Sequence, residues 1–224
     1  MGHPGDTPAE PSAHPRVFGF VPIRSLSVRH KPRMLAHLLA LGASDRYLRF
    51  GYAATDAQVE RYVEHIDFER DEVFGVFNRR LDLIALGHLA YEPPVGPAPP
   101  GRSAEFGVSV ALRGRGRGYG ARLFDHAVLR ARNRGVETIV IHALSENVAM
   151  LRIVRNAGAE IEHSGCDSEA RLKLPPEDRE SIVEAMVEEQ VGELDYQFKQ
   201  GARLAEKMMD VLARDPDERP PRAD

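Results

Sequence analysis

The chain of 224 residues is 42% hydrophobic and 29% charged, and its formal net charge is −4. This content supports one sizeable core, and the lack of a basic excess argues against a protein that binds nucleic acid. A single cysteine, Cys166, excludes an internal disulfide framework and fits a reducing compartment. Residues 1–15 lack a signal-peptide pattern, and no apolar run reaches the ~18 residues of a membrane span. We therefore expect a cytoplasmic protein that does not contact a membrane.

The N-terminal half predicts a tail followed by five elements. Residues 1–15 hold four prolines and no apolar periodicity, which is typical of a disordered tail. Apolar spacing then predicts, in order, a strand at Val17–Val28, helices at Lys31–Leu41 and Asp56–Ile66, and strands at Glu72–Phe77 and Leu81–Tyr91. A proline-rich loop continues to Pro100. Between the two helices, Tyr47 and Arg49 are expected to pack at a helix start, the alternative being that they line a substrate site.

The central stretch joins a strand, a glycine-rich turn and the start of a helix. Ala104–Val110 predicts the strand, residues 113–120 read RGRGRGYG, and Ala121–Arg134 has helical spacing. The first turn of a helix has unpaired N–H groups and partial positive charge, and glycine lets an anion approach the backbone closely. With three arginines beside them, these features predict an anion-binding site.

Three phosphate-binding patterns compete for this stretch. A Walker loop requires Gly-Lys followed by Ser or Thr, which is absent, and the dinucleotide pattern G-x-G-x-x-G fails because Tyr119 stands where glycine is required. The pattern R-x-x-G-x-G is met by Arg115, Gly118 and Gly120. This loop resembles the acetyl-CoA pyrophosphate loop of the GNAT superfamily of N-acetyltransferases. The alternative is a solvated basic turn that happens to be rich in glycine.

The remaining sequence predicts a second set of elements. Gly135 is expected to cap the central helix. A strand at Thr138–Ala143, a helix at Asn147–Asn156 and a closing hairpin of Ala159–His163 with Ala170–Leu174 follow. His142 lies within the apolar strand, and we expect a core or cleft histidine there rather than a catalytic one.

A C-terminal helical extension, residues 176–215, is longer than this arrangement requires. Apolar and small residues step by four and three, which indicates a heptad seam: Val187, Val191, Leu194, Phe198, Gly201, Ala205, Met208 and Leu212. One interpretation is a helical arm that pairs with its twin in a homodimer. The other is one or two helices folded back onto the chain's own sheet. Residues 216–224 predict a polar tail.

The order of elements also resembles the GNAT fold, over about Val17–Leu174. In that family an Asn opens a late helix and a Gly closes it eleven residues later, as Asn147 and Gly158 do here. The phrase Tyr47–Phe50 is further similar to the bacterial protein-lysine acetyltransferase branch. The resemblance implies an α/β (α+β) fold: a mixed, splayed sheet flanked by helices, occupying residues 16–175.

The resemblance also implies a site for acetyl-CoA as cosubstrate and a primary amine as acceptor. Glu105 corresponds to the acidic position of the lysine-acetyltransferase branch and is the candidate general base, the alternative being a solvated strand glutamate. An exposed strand edge would hold the pantetheine arm of the coenzyme, and the glycine loop its pyrophosphate. The expected coenzyme-binding residues are Val108, Ser109, Val110, Arg115, Gly116, Arg117, Gly118, Tyr119, Gly120 and Asn147.

One position departs from the family. Many GNAT enzymes carry Tyr seven residues after the opening Asn to protonate the departing thiolate, and here that position is Val154. Ser145 or Tyr119 could serve instead, or no donor is used. The acceptor is expected to be a protein lysine or a small-molecule amine. A competing hypothesis is a non-catalytic regulatory module that binds acyl-CoA and acts through its helical arm. The nine histidines show no paired spacing for a metal, so we expect no metal site.

Overall fold

Seven strands form one mixed sheet in the computed structural model, which describes residues 21–93, 103–176 and 179–212. The strands are β1 Arg24–Leu26, β2 Glu72–Phe77, β3 Leu83–Tyr91, β4 Ser103–Val110, β5 Thr138–Leu144, β6 Glu160–Ser164 and β7 Asp167–Lys173. They are ordered β1-β2-β3-β4-β5-β7-β6, and β4 with β5 is the one parallel pair. The predicted tails and most of the predicted proline-rich loop lie outside the described residues.

Six α-helices accompany the described strands. They are α1 Lys31–Leu39, α2 Ala43–Phe50, α3 Asp56–Glu64, α4 Tyr119–Asn133, α5 Val148–Asn156 and α6 Arg179–Leu212. Single 3-10 turns occupy Val28–His30 and Leu112–Gly114. The predicted fold, a mixed and splayed sheet flanked by helices with a helical extension, is confirmed.

The core lies on both faces of the sheet. On one face α4 and α5 cover a cluster that includes the fully buried Phe106, Phe124 and Ile139. On the other face α1 and α3 cover a second cluster around Met34 and Val59. The alternation of side chains along each strand explains why successive residues serve different clusters.

Several elements differ from the sequence prediction. Ala43–Phe50 forms a helix, α2, which the sequence did not predict because eight residues are too few for a helical apolar period to be recognised; Gly51 ends it at φ 77°. Strand β3 begins at Leu83 rather than Leu81, because Leu81 has a φ of 61° in a turn that the Asn78 side chain closes. Strand β1 covers only Arg24–Leu26 of the predicted Val17–Val28, whose first four residues lie outside the described ranges.

The long helix α6 docks on the outer strand of the sheet. Gly192 permits this approach, since a Cβ there would lie 1.9 Å from the carbonyl oxygen of Ile23. Glu193 forms a 2.8 Å ion pair with the buried Arg24, whose guanidinium carbon lies 3.5 Å from the centre of the Tyr196 ring. The helix therefore packs against its own domain, as one of the two interpretations predicted. No helix in the described ranges is both long and apolar enough to cross a membrane.

Candidate active site

The sheet opens between its two central strands. Strand β4 pairs with β3 from Ala104 to Val110, but its parallel ladder with β5 contains three residue pairs, the last joining Glu105 to Val140. Beyond that point β5 continues along β7 as far as Leu144. Within the described residues, the stretch of β4 from Gly107 to Val110 therefore has no strand partner on its β5 side. Its edge presents unpaired backbone groups to the gap between the strands.

A cavity of about 1350 Å³ fills this gap. Its walls are the free end of β4, the glycine loop, the start of α4, the end of β5 and one side of α5. Ten of the predicted site residues line it: Glu105, Val108, Ser109, Val110, Arg115, Gly116, Gly118, Tyr119, Gly120 and Asn147. Arg117, predicted with them, is exposed and is not part of the cavity wall.

The glycine loop delivers the N-terminus of α4 to the cavity. Gly116 and Gly118 have φ values of 73° and 76°, in the left-handed region that favours glycine. Gly118 occupies the N-cap position and has no side chain to pair with the N–H groups of the first turn. Those groups and the helix dipole make the end of the cavity a site for an anion. Helix α4 starts at Tyr119, two residues earlier than predicted, because the turn is complete at Gly118.

The arginines of the loop have different surroundings. Arg115 lines the cavity and is paired with Asp45 of α2, so part of its charge is neutralised. Arg113 lies 3.1 Å from Asp82, in a surface ion pair outside the cavity wall. Of the three arginines that the sequence placed beside the anion site, Arg115 is the one on the wall.

Gly120 brings two helices together behind the loop. A Cβ on Gly120 would lie 3.3 Å from Cδ1 of Ile153 in α5. Asn147 caps α5 by accepting a hydrogen bond from the Met150 amide at 3.1 Å, and its own amide points to the carbonyl of Leu48 in α2 at 3.4 Å. Asn147 thereby joins α5 to the opposite wall of the cavity, and Gly158, at a φ of 84°, follows the end of the helix as predicted.

A buried histidine fixes the side chain of Ser109. The Ser109 hydroxyl lies 2.9 Å from Nε2 of His37, and Nδ1 of His37 lies 3.0 Å from the carbonyl oxygen of Leu83. The carbonyl can only accept, so Nδ1 carries the proton and Nε2 accepts from the hydroxyl. Burial lowers the pKa of His37 to about 4, which keeps the ring neutral. The Ser109 hydroxyl is thus occupied by its hydrogen bond to His37 of α1, and only the backbone of Ser109 is available to a ligand.

Glu105 stands where the two strands part. It is exposed and shares its face of the sheet with Gly107 and Ser109, as the alternation predicted. A carboxylate at this junction can take a proton from a group that enters along the open face.

A chain of hydrogen bonds runs beneath the same face. Arg49 donates to the hydroxyl of Tyr62 at 2.7 Å, the hydroxyl lies 2.7 Å from Nδ1 of His88, and Nε2 of His88 lies 3.1 Å from Asp71. Each group is satisfied if Tyr62 donates to Nδ1 and His88 donates from Nε2. Burial raises the pKa of Tyr62, and the charges of Glu105 and Asp71 add to that increase.

The chain anchors Arg49 in the cavity wall. Burial alone would raise the pKa of Asp71, but hydrogen bonds from His88 and Arg70 outweigh it and lower that pKa to about 2. At the other end, the Arg49 guanidinium lies against β4, where a Cβ on Gly107 would be 2.7 Å from its central carbon. Arg49 therefore lies in the cavity wall beside β4, and Gly107 makes room for it.

Of the two residues considered as proton donors, Ser145 and Tyr119, one lies on the cavity wall. Val154 is a core-facing residue of α5; it is fully buried and does not line the cavity. Ser145 does not line the cavity either, and its hydroxyl lies 2.9 Å from that of Ser168. Tyr119, the other candidate, is on the wall at the start of α4.

The open face continues across β5, β7 and β6. His142 is exposed there, 3.7 Å from Glu169, so the cleft position predicted for it is the one observed and the core position is not. Cys166 lies exposed in the turn between β6 and β7. No group of three or more His, Cys, Asp or Glu side chains suited to a metal ion occurs in the described parts of the chain.

Sequence reasoning did not identify Tyr62, His88, Asp71 or His37. Tyr62 packs against the second core cluster, and apolar spacing in the sequence does not reveal its polar contacts. His88 faces the site because it pairs with Gly107, and such a register is not visible in one sequence.

Comparisons with known proteins agree on one family. Residues 33–159 match the model of the Acetyltransferase (GNAT) family. No curated protein matches the chain significantly. Among solved structures, the GNAT domain of S. lividans PAT is 22% identical with a TM-score of 0.57, covering 68% of this chain and 89% of that chain.

Two further solved structures share the fold. The ribosomal-protein-alanine N-acetyltransferase from Brucella melitensis is 18% identical with a TM-score of 0.51, covering 68% of this chain and 99% of its own. The phosphinothricin acetyltransferase from Sinorhizobium meliloti, solved in complex with AcCoA, is 11% identical with a TM-score of 0.54, covering 71% and 94%.

Proposed function

This chain belongs to the GNAT family of acetyltransferases, whose acetyl donor is acetyl-CoA, and from that membership we propose that it acetylates a primary amine by direct attack in a ternary complex. The observation that carries the proposal is the meeting of three features in one cavity. They are the unpaired edge of β4, the N-terminus of α4 and the Glu105 carboxylate.

The residues of the cavity fit the coenzyme. Backbone groups of Val108 to Val110 would pair with the amides of the pantetheine arm as a neighbouring strand would. The N–H groups at Gly118, Tyr119 and Gly120 would receive the pyrophosphate at the positive end of α4. When bound, acetyl-CoA supplies the acetyl group as a thioester, and the remaining steps belong to residues of the chain.

Glu105 is the proposed general base. An amine is protonated near neutral pH and must lose a proton before its nitrogen can attack a carbonyl carbon. Glu105 lies at the junction of the strands, next to the free edge that would hold the thioester, and it is exposed on the side from which an acceptor can enter. Arg49, anchored through Tyr62, would line the same entrance.

Tyr119 is the proposed donor to the departing thiolate. It is the candidate on the cavity wall, whereas Val154 lies in the core and Ser145 is bound to Ser168. A thiol has a pKa near ~8.5, so the thiolate leaves readily and the donor is worth less than the base. We therefore expect Tyr119→Phe to slow turnover less than a substitution of Glu105.

The proposed acceptor is a lysine on the surface of a protein. The face of β5, β7 and β6 beyond Glu105 is open, and its side chains Glu162, Glu169 and Arg171 point to that face. An uncovered sheet face suits a macromolecule, while a small amine would be held by a closed pocket. Together with Glu105 and Asp167, the carboxylates of this face favour a positively charged acceptor.

The test measures release of free thiol from acetyl-CoA by the purified full chain. The acceptors are lysine peptides with basic or acidic flanking residues and a set of small amines. We expect the fastest release with lysine peptides that have basic flanks, and acetylation of the lysine nitrogen by mass spectrometry. Faster release with a small amine would contradict the lysine proposal, and binding of acetyl-CoA without release for any amine would favour a regulatory module.

Glu105→Gln is the matched variant for the base. It keeps the shape of the side chain and removes the proton acceptor, so turnover should fall by ~10²-fold. The affinity for acetyl-CoA, measured by calorimetry, should remain. An unaltered dependence of rate on pH would mean that Glu105 is a solvated strand residue and that the base lies elsewhere.

A further inference from the structure

Helix α6 turns its apolar side away from the domain that it packs on. Its inner side holds charged residues bound to the domain: Glu193 to Arg24, Lys199 to the Phe77 carbonyl and Arg203 to the Arg80 carbonyl. We name the opposite side the outer face of α6. It comprises Val187, Leu194, Phe198, Gly201, Ala205 and Met209, all exposed in the described structure. At 3.6 residues per turn, these positions lie roughly opposite Gly192, Tyr196 and Arg203.

The outer face is at the upper end of the apolar patches that monomers leave in water. Phe198 is 79% exposed, Met209 68% and Leu194 67%. With Val187 and Leu204 beside them, these side chains present on the order of 600 Å² of apolar surface. A helix that served only to cover its own sheet would place such side chains inward. Within the described residues the outer face is uncovered, which makes it a surface for a partner.

We propose that the outer face of α6 pairs with the same face of a second copy of this chain, with the two helices antiparallel. This inference goes beyond the proposed acetyl transfer and does not depend on it. It rests on the pattern of large and small residues along the outer face. In an antiparallel pair related by a two-fold axis, position i of one copy faces position j of the other, and i plus j is constant.

Two large and two small residues at the centre of the outer face match under one such register. It places Phe198 against Gly201 of the second copy and Leu194 against Ala205. The symmetry repeats both layers, so that Phe198 and Leu194 of each copy both meet a small residue. Spacing by three and four is the spacing with which side chains of one helix fit between those of another. In a parallel pairing the small residues would face each other and make little contact. In the antiparallel register they leave room for Phe198 and Leu194.

The residues beside the seam suit close contact. Gln197 and Leu204 follow one side, and Ala202 lies on the other. Asp195 forms a 2.6 Å ion pair with Lys199 on the same helix, which neutralises part of the charge beside the outer face. Two copies would bury about 1,200 Å² in total, at the lower end of the range for specific protein interfaces. The partner that this surface fits is thus a second copy of the chain.

The first experiment measures the mass of the full chain by light scattering over a range of concentrations. We expect a dimer for the unaltered protein and a monomer for Phe198→Glu. Leu112→Glu is the matched control, since Leu112 is 77% exposed but lies outside α6, and it should remain dimeric. Circular dichroism verifies that each variant is folded. A monomer for the unaltered chain, or a dimer for Phe198→Glu, would overturn the proposal.

The second experiment tests orientation by disulfide formation. Cys166 is replaced by Ser, and Leu194→Cys and Ala205→Cys variants are mixed under oxidising conditions. The antiparallel register predicts disulfides that join position 194 of one copy to position 205 of the other. A parallel pair would join 194 to 194 and 205 to 205. Mass spectrometry of the cross-linked peptides distinguishes the two, and the parallel result, or the absence of cross-links, would overturn the proposed pairing.

Discussion

At the scale of single residues, His37 links the stability of the domain to the shape of the site. Its ring connects the Leu83 carbonyl to the Ser109 hydroxyl, and both bonds require the neutral form with its proton on Nδ1. Burial lowers the pKa of His37 to about 4. Protonation would place a second proton on Nε2, which now accepts from Ser109, and would leave a buried charge beside β4. The position of the free strand edge therefore depends on a histidine that stays uncharged.

The consequence is a loss of stability in mild acid. In the unfolded chain His37 titrates near ~6.5, so between that pH and about 4 the unfolded state binds more protons than the folded state. The contribution of His37 is complete above pH ~6.5 and is lost as the pH falls to about 4, at a total cost of roughly 3 kcal/mol. Urea unfolding measured at intervals from pH 7.5 to 4.5 should show this fall.

His37→Gln provides the comparison for that measurement. It should be less stable than the unaltered protein at pH 7.5 but should lose less between pH 6.5 and 4.5. His30, whose pKa burial also lowers to about 4, titrates in both proteins and cancels in the difference. Parallel curves for the two proteins would show that His37 does not carry the pH dependence.

What could be predicted at this scale depended on distance along the chain. Glu105 and the loop residues Gly118 and Gly120 were identified because each lies in a short pattern of neighbouring residues. Tyr62, His88 and Asp71 come from a helix, a strand and the turn before another strand, and they meet only through packing and register. Arg117 fits the loop pattern but lies outside the cavity wall, because the turn directs it to solvent.

At the scale of elements, the feature that matters most for anion binding is the start of α4. Gly118 is the N-cap in the left-handed conformation and leaves the amides of the first turn directed at the cavity. The sequence predicted this helix, and its first residue to within two positions, since glycines mark the turn. Helix α2 was not predictable, because its eight residues are too few for a helical apolar period to be recognised.

We expect Gly118→Asp to abolish binding of acetyl-CoA. The carboxylate would enter the space intended for an anion and repel the pyrophosphate, and its Cβ would crowd the backbone. Gly135→Asp is the control: Gly135 has a φ of 72° at the other end of α4, so it bears the same backbone strain and charge away from the cavity. Calorimetric titration of both folded variants with acetyl-CoA tests this expectation. Equal affinity of the two variants for acetyl-CoA would exclude the loop as the pyrophosphate site.

At the scale of the whole molecule, α6 is part of the domain and also its most exposed apolar surface. Glu189 reaches Arg130 of α4, while Tyr196 is buried against Phe77 and contacts Arg33 of α1. The heptad pattern predicted the outer face but could not reveal that a different side of the same helix docks on β1. That docking depends on Gly192, although glycine ordinarily weakens a helix.

Substituting two glycines of α6 separates docking from helix propensity. Gly192→Ala should destabilise the protein by about 1–3 kcal/mol, because the new methyl group would collide with the Ile23 carbonyl. Gly201→Ala should stabilise it by about 0.5–1 kcal/mol, since nothing lies within 4 Å of a Cβ there. Both are measured by chemical unfolding in the Phe198→Glu background, so that helix pairing does not contribute. Equal effects would show that α6 is not docked through Gly192.

The gap between β4 and β5 also bears on aggregation through an unpaired strand edge. An unpaired strand edge at the rim of a sheet attracts strands from other chains and promotes aggregation. Here the unpaired edge from Gly107 to Val110 lies within the sheet, with β5 and α5 forming the opposite wall. An incoming strand needs a spacing of about 4.8 Å and room for side chains above and below, and at this edge it would have to fit between these walls. A thin, flexible molecule without side chains meets fewer such constraints, so the enclosure of the edge favours a ligand of that kind over a strand from another protein.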